Sequence, residues 1–457
     1  MPLGRTWQVV AGSAATGLAV AVVAVAATGP WESGQRTAER SFAAARDRQL
    51  AAAAHAVPTR RAAPPPPSAA LVLQPAGPAP SQAAGGADPL ADRLDPLLAG
   101  PDLGPVRTGA VIDVTTGQLL YGHHETTATT PASITKLATA VAALGTLGPA
   151  HRLTTTVVTT APGRIVLVGG GDPTLELGGL ADDTAAALKT RGTRTVRLAY
   201  DTSYFSGPSL HPIGYNENLA PVTALMAREG RLDGTSSGPA QRSQDPAGDA
   251  AAGFAQLLRA RGITVTGTPG HGSGTGGAQL AAHVSAPLSD LVERMLTNSD
   301  NDLAESLARQ VARATGRPTT FAGGAAAVRA ALVKEGVPLG GAVFSDGSGL
   351  DHADRLAPVT VARLLALAGA PGHPELRPVL TGLPVAAFTG TLASRFHGSP
   401  GAGLIRAKTG TLTGTNTIAG TKVLADGRLV AFCFMTQGAA AALPAESALD
   451  HLATALP

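Results

Sequence analysis

Cysteine is nearly missing from this chain: Cys433 stands alone in 457 residues, so no intramolecular disulfide and no cysteine-built metal site can form. It lies in the apolar run Leu429-Val430-Ala431-Phe432-Cys433-Phe434-Met435 and reads as a small buried hydrophobe. Aromatic residues are scarce at 3%, which argues against a protein that stacks bases or sugars on rings. Neither charge is in excess, with 35 Lys and Arg against 32 Asp and Glu. Together with the lack of any Lys/Arg-rich run, this excludes a nucleic-acid partner. Lysine itself is rare, at Lys136, Lys189, Lys334, Lys408 and Lys422 only; arginine carries the rest of the positive charge.

Small residues are abundant. Gly and Pro make up 91 of the 457 residues, yet hydrophobics still reach 44%, enough for a sizeable core and too much for a wholly disordered chain. An uncharged, Ala- and Val-rich stretch from Thr6 to Trp31 follows Arg5. That pattern is a signal peptide or a membrane anchor over residues 1–31, and it implies export to the cell envelope, either secreted or tethered. Ala24-Val25-Ala26 fits a cleavage site, and whether cleavage occurs stays open. Residues 32–88 are rich in Ala, Pro, Gly, Gln and Arg, including Pro64-Pro65-Pro66-Pro67. They cannot bury a regular apolar face and read as a disordered linker.

The folded part begins near Pro89. Gly109–Val114 and Gln118–Gly122 flank the turn Thr115-Thr116-Gly117 as a hairpin. Ser133–Gly145 has helical periodicity, as do Leu288–Thr297 and Asp302–Thr315. Two β-rich runs between Arg152 and Val168 flank Ala161-Pro162-Gly163, and a second hairpin turns at Asp426-Gly427. Strands and helices at both ends enclose a less regular middle. The expected class is α/β (α+β), an antiparallel sheet flanked by helices, with residues 89–150 and 280–457 forming one domain that a reduced insertion at 151–279 interrupts. His123-His124-Glu125 reads as a solvated turn, and Asp182-Asp183 as the start of a helix. Val168-Gly169-Gly170-Gly171 lacks the spacing and the lysine of a phosphate-binding loop.

Three short elements carry the chemistry: Ser133-Ile134-Thr135-Lys136 opening a helix, Ser299-Asp300-Asn301 between two helices, and Lys408-Thr409-Gly410 in a strand. In this order, S-x-x-K, S-D-N and K-T-G form the catalytic set of penicillin-binding proteins and class A β-lactamases. Each element alone is cheap, but two of five lysines fall inside them. Lysine can be tuned to act as a base where arginine stays protonated. Helical positions i and i+3 share a face, so Ser133 and Lys136 can meet, and a serine in the first turn faces the positive end of the helix dipole. Lys136 must be neutral to accept a proton; burial and the nearby cation of Lys408 are expected to lower its pKa. Gly410 is expected to let a ligand backbone approach the strand.

On these motifs the chain resembles the class C low-molecular-mass penicillin-binding proteins, serine-type D-alanyl-D-alanine carboxypeptidase/endopeptidases, with a penicillin-binding/β-lactamase-like transpeptidase domain. Further runs that carry the resemblance are Val168–Leu175, Asp201-Thr202-Ser203-Tyr204-Phe205 and Asp346-Gly347-Ser348-Gly349-Leu350. The resemblance implies Ser133 as acylated nucleophile, Lys136 as its base and Ser299 as proton relay. It implies that Asn301 binds the substrate amide, that Lys408 and Thr409 hold a terminal carboxylate beside Gly410, and that the N–H groups of Ser133 and Thr411 form the oxyanion hole. It implies peptidoglycan stem peptides as substrate, acylation by β-lactams, and no metal or organic cofactor. Asp351-His352 stand where the family has Ser-Arg. A β-lactamase or esterase with the same triad, or a non-catalytic cell-wall binding protein, are the alternatives.

Overall fold

The computed structural model describes residues 90–457; the expected signal or anchor segment and the linker lie outside them. The chain opens with helix α1 (Ala91–Leu98) and the hairpin β1 (Val106–Asp113) and β2 (Leu119–His123). A single 3-10 turn, Ala132–Ile134, runs into α2 (Thr135–Leu147), followed by β3 (Thr154–Ala161) and β4 (Arg164–Val168). Next come α3 (Leu177–Thr190), β5 (Thr195–Asp201), α4 (Pro246–Ala260), β6 (Thr264–Val265), β7 (Gly270–His271) and β8 (Ala278–Val284). Helices α5 (Leu288–Asn298), α6 (Asn301–Ala314), α7 (Phe321–Lys334), α8 (Pro358–Gly369) and α9 (Arg377–Thr381) precede three long strands. These are β9 (Ile405–Leu412), β10 (Thr415–Val423) and β11 (Leu429–Gln437), and α10 (Ala442–Ala455) closes the chain.

Both hairpins expected from the sequence form. The Asp426-Gly427 turn joins β10 to β11, and Gly427 adopts φ 85°, a conformation glycine reaches without strain. The first sheet is antiparallel in the order β2-β1-β11-β10-β9. Strand alternation divides its side chains between two cores. Ala431, Cys433 and Met435 face a helical layer with Leu137 of α2, Val292 of α5, Leu307 of α6, Val328 of α7 and Leu364 of α8. Val430, Phe432 and Phe434 face Leu94 and Leu98 of α1 and Leu449 and Leu452 of α10. Helix α2 is buried from Thr135 to Leu144, mostly apolar residues with Lys136 and two threonines among them, which makes it the central post of the helical layer. Cys433 is buried, as its apolar run implied.

The irregular middle resolves into a second sheet, ordered β6-β5-β4-β3-β8, with β7 paired to β5. Strands β4 and β5 are parallel and joined through α3, a βαβ unit whose apolar face packs with α4 around Phe254, Leu188 and Leu198. Asp182 and Asp183 lie within α3 and do not start it; Asp182 instead pairs with Arg261 at 2.6 Å. Between β5 and α4, residues 202–244 form a long loop that returns to the first sheet's helices, where Phe205, Leu219 and Val222 pack with Phe321 and Leu350. Among the described residues no helix is long and apolar enough to cross a membrane.

Candidate active site

The three motifs converge. Ser133 sits in the 3-10 turn ahead of α2, two residues before the helix proper, and Lys136 is wholly buried in the helix's first turn. The i, i+3 spacing brings Lys136 Nζ within 3.0 Å of Ser133 Oγ. The same amine donates to Asn301 Oδ1 at 2.5 Å and to the Ser348 carbonyl at 2.8 Å. Three N–H groups thus meet three acceptors.

Ser299 and Asn301 are held by a helix-to-helix turn. Ser299 ends α5 in the left-handed conformation, φ 58° and ψ 39°, and Asp300 caps α6 by accepting the Leu303 N–H at 3.0 Å. Asn301 then opens α6 with its side chain fixed at both ends: Oδ1 on Lys136, and Nδ2 donating to the Asn218 carbonyl at 2.9 Å. That carbonyl belongs to the 202–244 loop, which is tied to the turn again where Arg242 meets Asp302 at 2.9 Å.

Lys408 is also wholly buried. From β9 its Nζ donates to Ser299 Oγ at 2.9 Å and to its neighbour's carbonyl, Thr409, at 2.6 Å. Thr409 shares a hydroxyl–hydroxyl hydrogen bond of 2.8 Å with Thr391. Gly410 is pressed against the backbone at Ser133: a Cβ there would stand 2.9 Å from Ser133 N and 2.9 Å from Pro131 O. The chain itself fills the space on this face of Gly410. Thr411 is exposed, and its hydroxyl donates to Glu446 at 2.8 Å.

The electrostatics differ from the sequence expectation in one respect. Burial lowers Lys136 to about 8, against the pull of the Asp346, Glu305, Asp300 and Asp302 carboxylates. The depressing cation acts in the other direction from that expected: Lys136 lowers Lys408, which burial has already pushed well below the usual lysine range. Burial is the largest influence on both amines; four acids offset part of it at Lys136, whereas at Lys408 the Lys136 cation adds to it.

Sequence reasoning missed the two backbone acceptors. Ser348 lies in the Asp346–Leu350 run, which carried the family resemblance without pointing to Lys136. The Asn218 carbonyl has no side-chain signature at all. Thr391 was missed too. Asp351, which replaces the family's serine, donates its N–H to Asp346 Oδ2 at 2.8 Å, and His352 is exposed.

The chain matches the D-Ala-D-Ala carboxypeptidase 3 (S13) family over residues 90–238 and 232–456. It is 37% identical to carboxypeptidase DacB of Mycolicibacterium smegmatis, over 99% of this chain and 97% of that one. A D-alanyl-D-alanine carboxypeptidase of Actinomadura sp. is 31% identical, over 80% of this chain and 85% of its own length. Penicillin binding protein 4 (dacB) of Haemophilus influenzae shares the fold, with a TM-score of 0.67 at 23% identity over 79% of this chain and 98% of that one; its complex with a β-lactam gives 0.65. With serine, lysine and asparagine drawn together in the order its motifs require, and with relatives matched along nearly their whole length, the chain belongs to the D-Ala-D-Ala carboxypeptidase 3 (S13) family.

Proposed function

We propose that this protein hydrolyses the D-Ala-D-Ala bond, or the corresponding cross-link bond, of peptidoglycan stem peptides through a serine acyl-enzyme, and that β-lactams acylate the same serine. The observation that carries the reading is the donor count at Lys136. Of its three partners, Asn301 Oδ1 and the Ser348 carbonyl can only accept, so a neutral Lys136 must aim its lone pair at the Ser133 hydroxyl. Ser133 Oγ attacks the carbonyl carbon and its proton passes to Lys136 Nζ. The C–N bond then breaks, and the departing amine takes up a proton relayed through Ser299, which touches Lys408. Water repeats the sequence on the ester and frees the serine.

On this reading Thr409 and Lys408 hold the substrate's terminal carboxylate, whose charge restores the proton to Lys408. Asn301 and Gly410 flank the bound peptide, and the N–H groups of Ser133 and Thr411 receive the oxyanion. Residues 89–150 and 280–457 are the catalytic domain and 151–279 an inserted one. Residues 1–31 export or anchor the protein on the envelope's outer side, with 32–88 as a spacer; their composition supports this.

The test is labelling of the purified protein with a fluorescent penicillin, followed by mass spectrometry of the adduct. A label on Ser133 that is absent from Ser133→Ala is expected. No label, or one that persists in the variant, refutes the assignment, and an adduct that clears within seconds identifies a β-lactamase instead.

A further inference from the structure

Behind Lys136 lies a buried acidic cluster that the reaction above does not use. Glu305 stands on α6 one turn beyond Asn301, so the two share a helix face. Asn301 touches Lys136 itself. Glu305 instead accepts the N–H groups of Gly347 and Ser348, at 3.0 and 2.8 Å, and the Ser348 carbonyl is what holds Lys136 from the far side.

The peptide run that carries this carbonyl is clamped from several directions. Asp346 Oδ1 accepts from Ser348 N at 3.0 Å and from Gly349 N at 2.6 Å. Thr139 of α2 donates to the Gly347 carbonyl at 2.6 Å. Gly347 has no room for a side chain, since a Cβ would stand 2.6 Å from Ala308 Cβ and 2.8 Å from Ala304 O. With these donors on their oxygens, Glu305 and Asp346 are engaged in shaping the run and are not laid out as ligands for an ion.

We infer that Glu305 is a positioning residue for Lys136: it fixes the carbonyl that orients the amine, and its charge sets how readily the amine gives up a proton. The inference rests on the reading of Lys136 as the base. Charged groups face Glu305 from every packed element: Arg309 on its own helix, Asp346 and Asp354 on the 345–354 run, His211 from the 202–244 loop and Lys136 from α2. Burial and Asp346 raise Glu305 to about 7, while His211 and Arg309 favour its anion. That anion acts on Lys136 together with Asp346, Asp300 and Asp302.

The experiment measures the rate of Ser133 acylation by a fluorescent penicillin from pH 5 to 10 in the full-length protein, in Glu305→Gln and in Glu305→Asp. Removing the charge in E305Q should move the rising limb of the profile to lower pH by about one unit. E305D keeps the charge but shortens the arm; it should hold the wild-type midpoint and lose about tenfold in plateau rate. An unmoved midpoint in E305Q overturns the inference. If E305Q does not fold, E305D decides, and a wild-type plateau rate there overturns it equally. A wild-type protein that is not labelled on Ser133 refutes the functional reading rather than this inference.

Discussion

Gly410 touches Ser133 through backbone alone, because the place a Cβ would occupy lies 2.9 Å from the serine's nitrogen. The same Cβ would stand 2.4 Å from Thr417 Oγ1, so this face of the strand has no room for a side chain. Gly410→Ala is therefore expected to cost about 1–3 kcal/mol of stability and to slow acylation by more than tenfold, because β9 must retreat from the nucleophile's N–H. Thermal melts and penicillin-labelling rates check both. A variant that labels at the wild-type rate contradicts the contact.

The proton-accepting group is neutral only above its pKa. With Lys136 lowered to about 8, acylation should climb roughly tenfold per pH unit below that value and level off above it. Lys136→Arg leaves a guanidinium that stays charged throughout. It should lose a factor of about 10²–10⁴ at every pH, with folding checked by circular dichroism. A flat profile between pH 6 and 9 in the wild type would contradict Lys136 as the base.

Thr391 was not visible as a site residue, yet its hydroxyl meets that of Thr409 at 2.8 Å. Thr391→Val removes one partner of this pair and frees the Thr409 hydroxyl to rotate. The expected outcome is a three- to tenfold rise in KM for a peptide ending in a free carboxylate, about the worth of one hydrogen bond. A blocked, amidated peptide should show much less change, which separates carboxylate binding from general damage.

Asp354 gives a prediction about stability. It is buried, its Oδ1 accepts the Ser345 N–H at 2.5 Å, and its Oδ2 has no hydrogen-bond partner among the described residues. Burial and the Asp346 charge raise it to about 9. A carboxyl raised in the folded state holds a proton that the unfolded chain has released, so its contribution is full below pH 4 and is lost as pH climbs toward 9. Asp354→Asn mimics the protonated form and should flatten this decline, which melting temperatures at pH 5, 7 and 9 would reveal. An identical pH slope in the two proteins would contradict it.

Local chemistry was legible in the sequence, and distant contact was not. The Ser133–Lys136 spacing led directly to the observed pair, and Asp426-Gly427 to its hairpin, because both depend on residues a few positions apart. The βαβ unit around α3 was hidden because the middle of the chain is broken by glycine and carries no long periodic run. Asp182-Asp183 invited a helix start on charge alone, but both lie within α3, and Asp182 pairs with Arg261 instead. The part Gly410 plays also depends on a neighbour 277 positions away, which no local pattern can announce.

Ser299 occupies a seat whose backbone suits another residue. A left-handed φ costs a side-chain-bearing residue about 1–2 kcal/mol relative to glycine, and glycine commonly ends helices in this way. On the proposed reaction, any selection that rewards heat tolerance alone would therefore draw glycine or asparagine into position 299 and silence turnover as it did so. Thermal hardiness and catalysis pull in opposite directions at this one seat, and the hydroxyl is kept only while the chemistry is under selection.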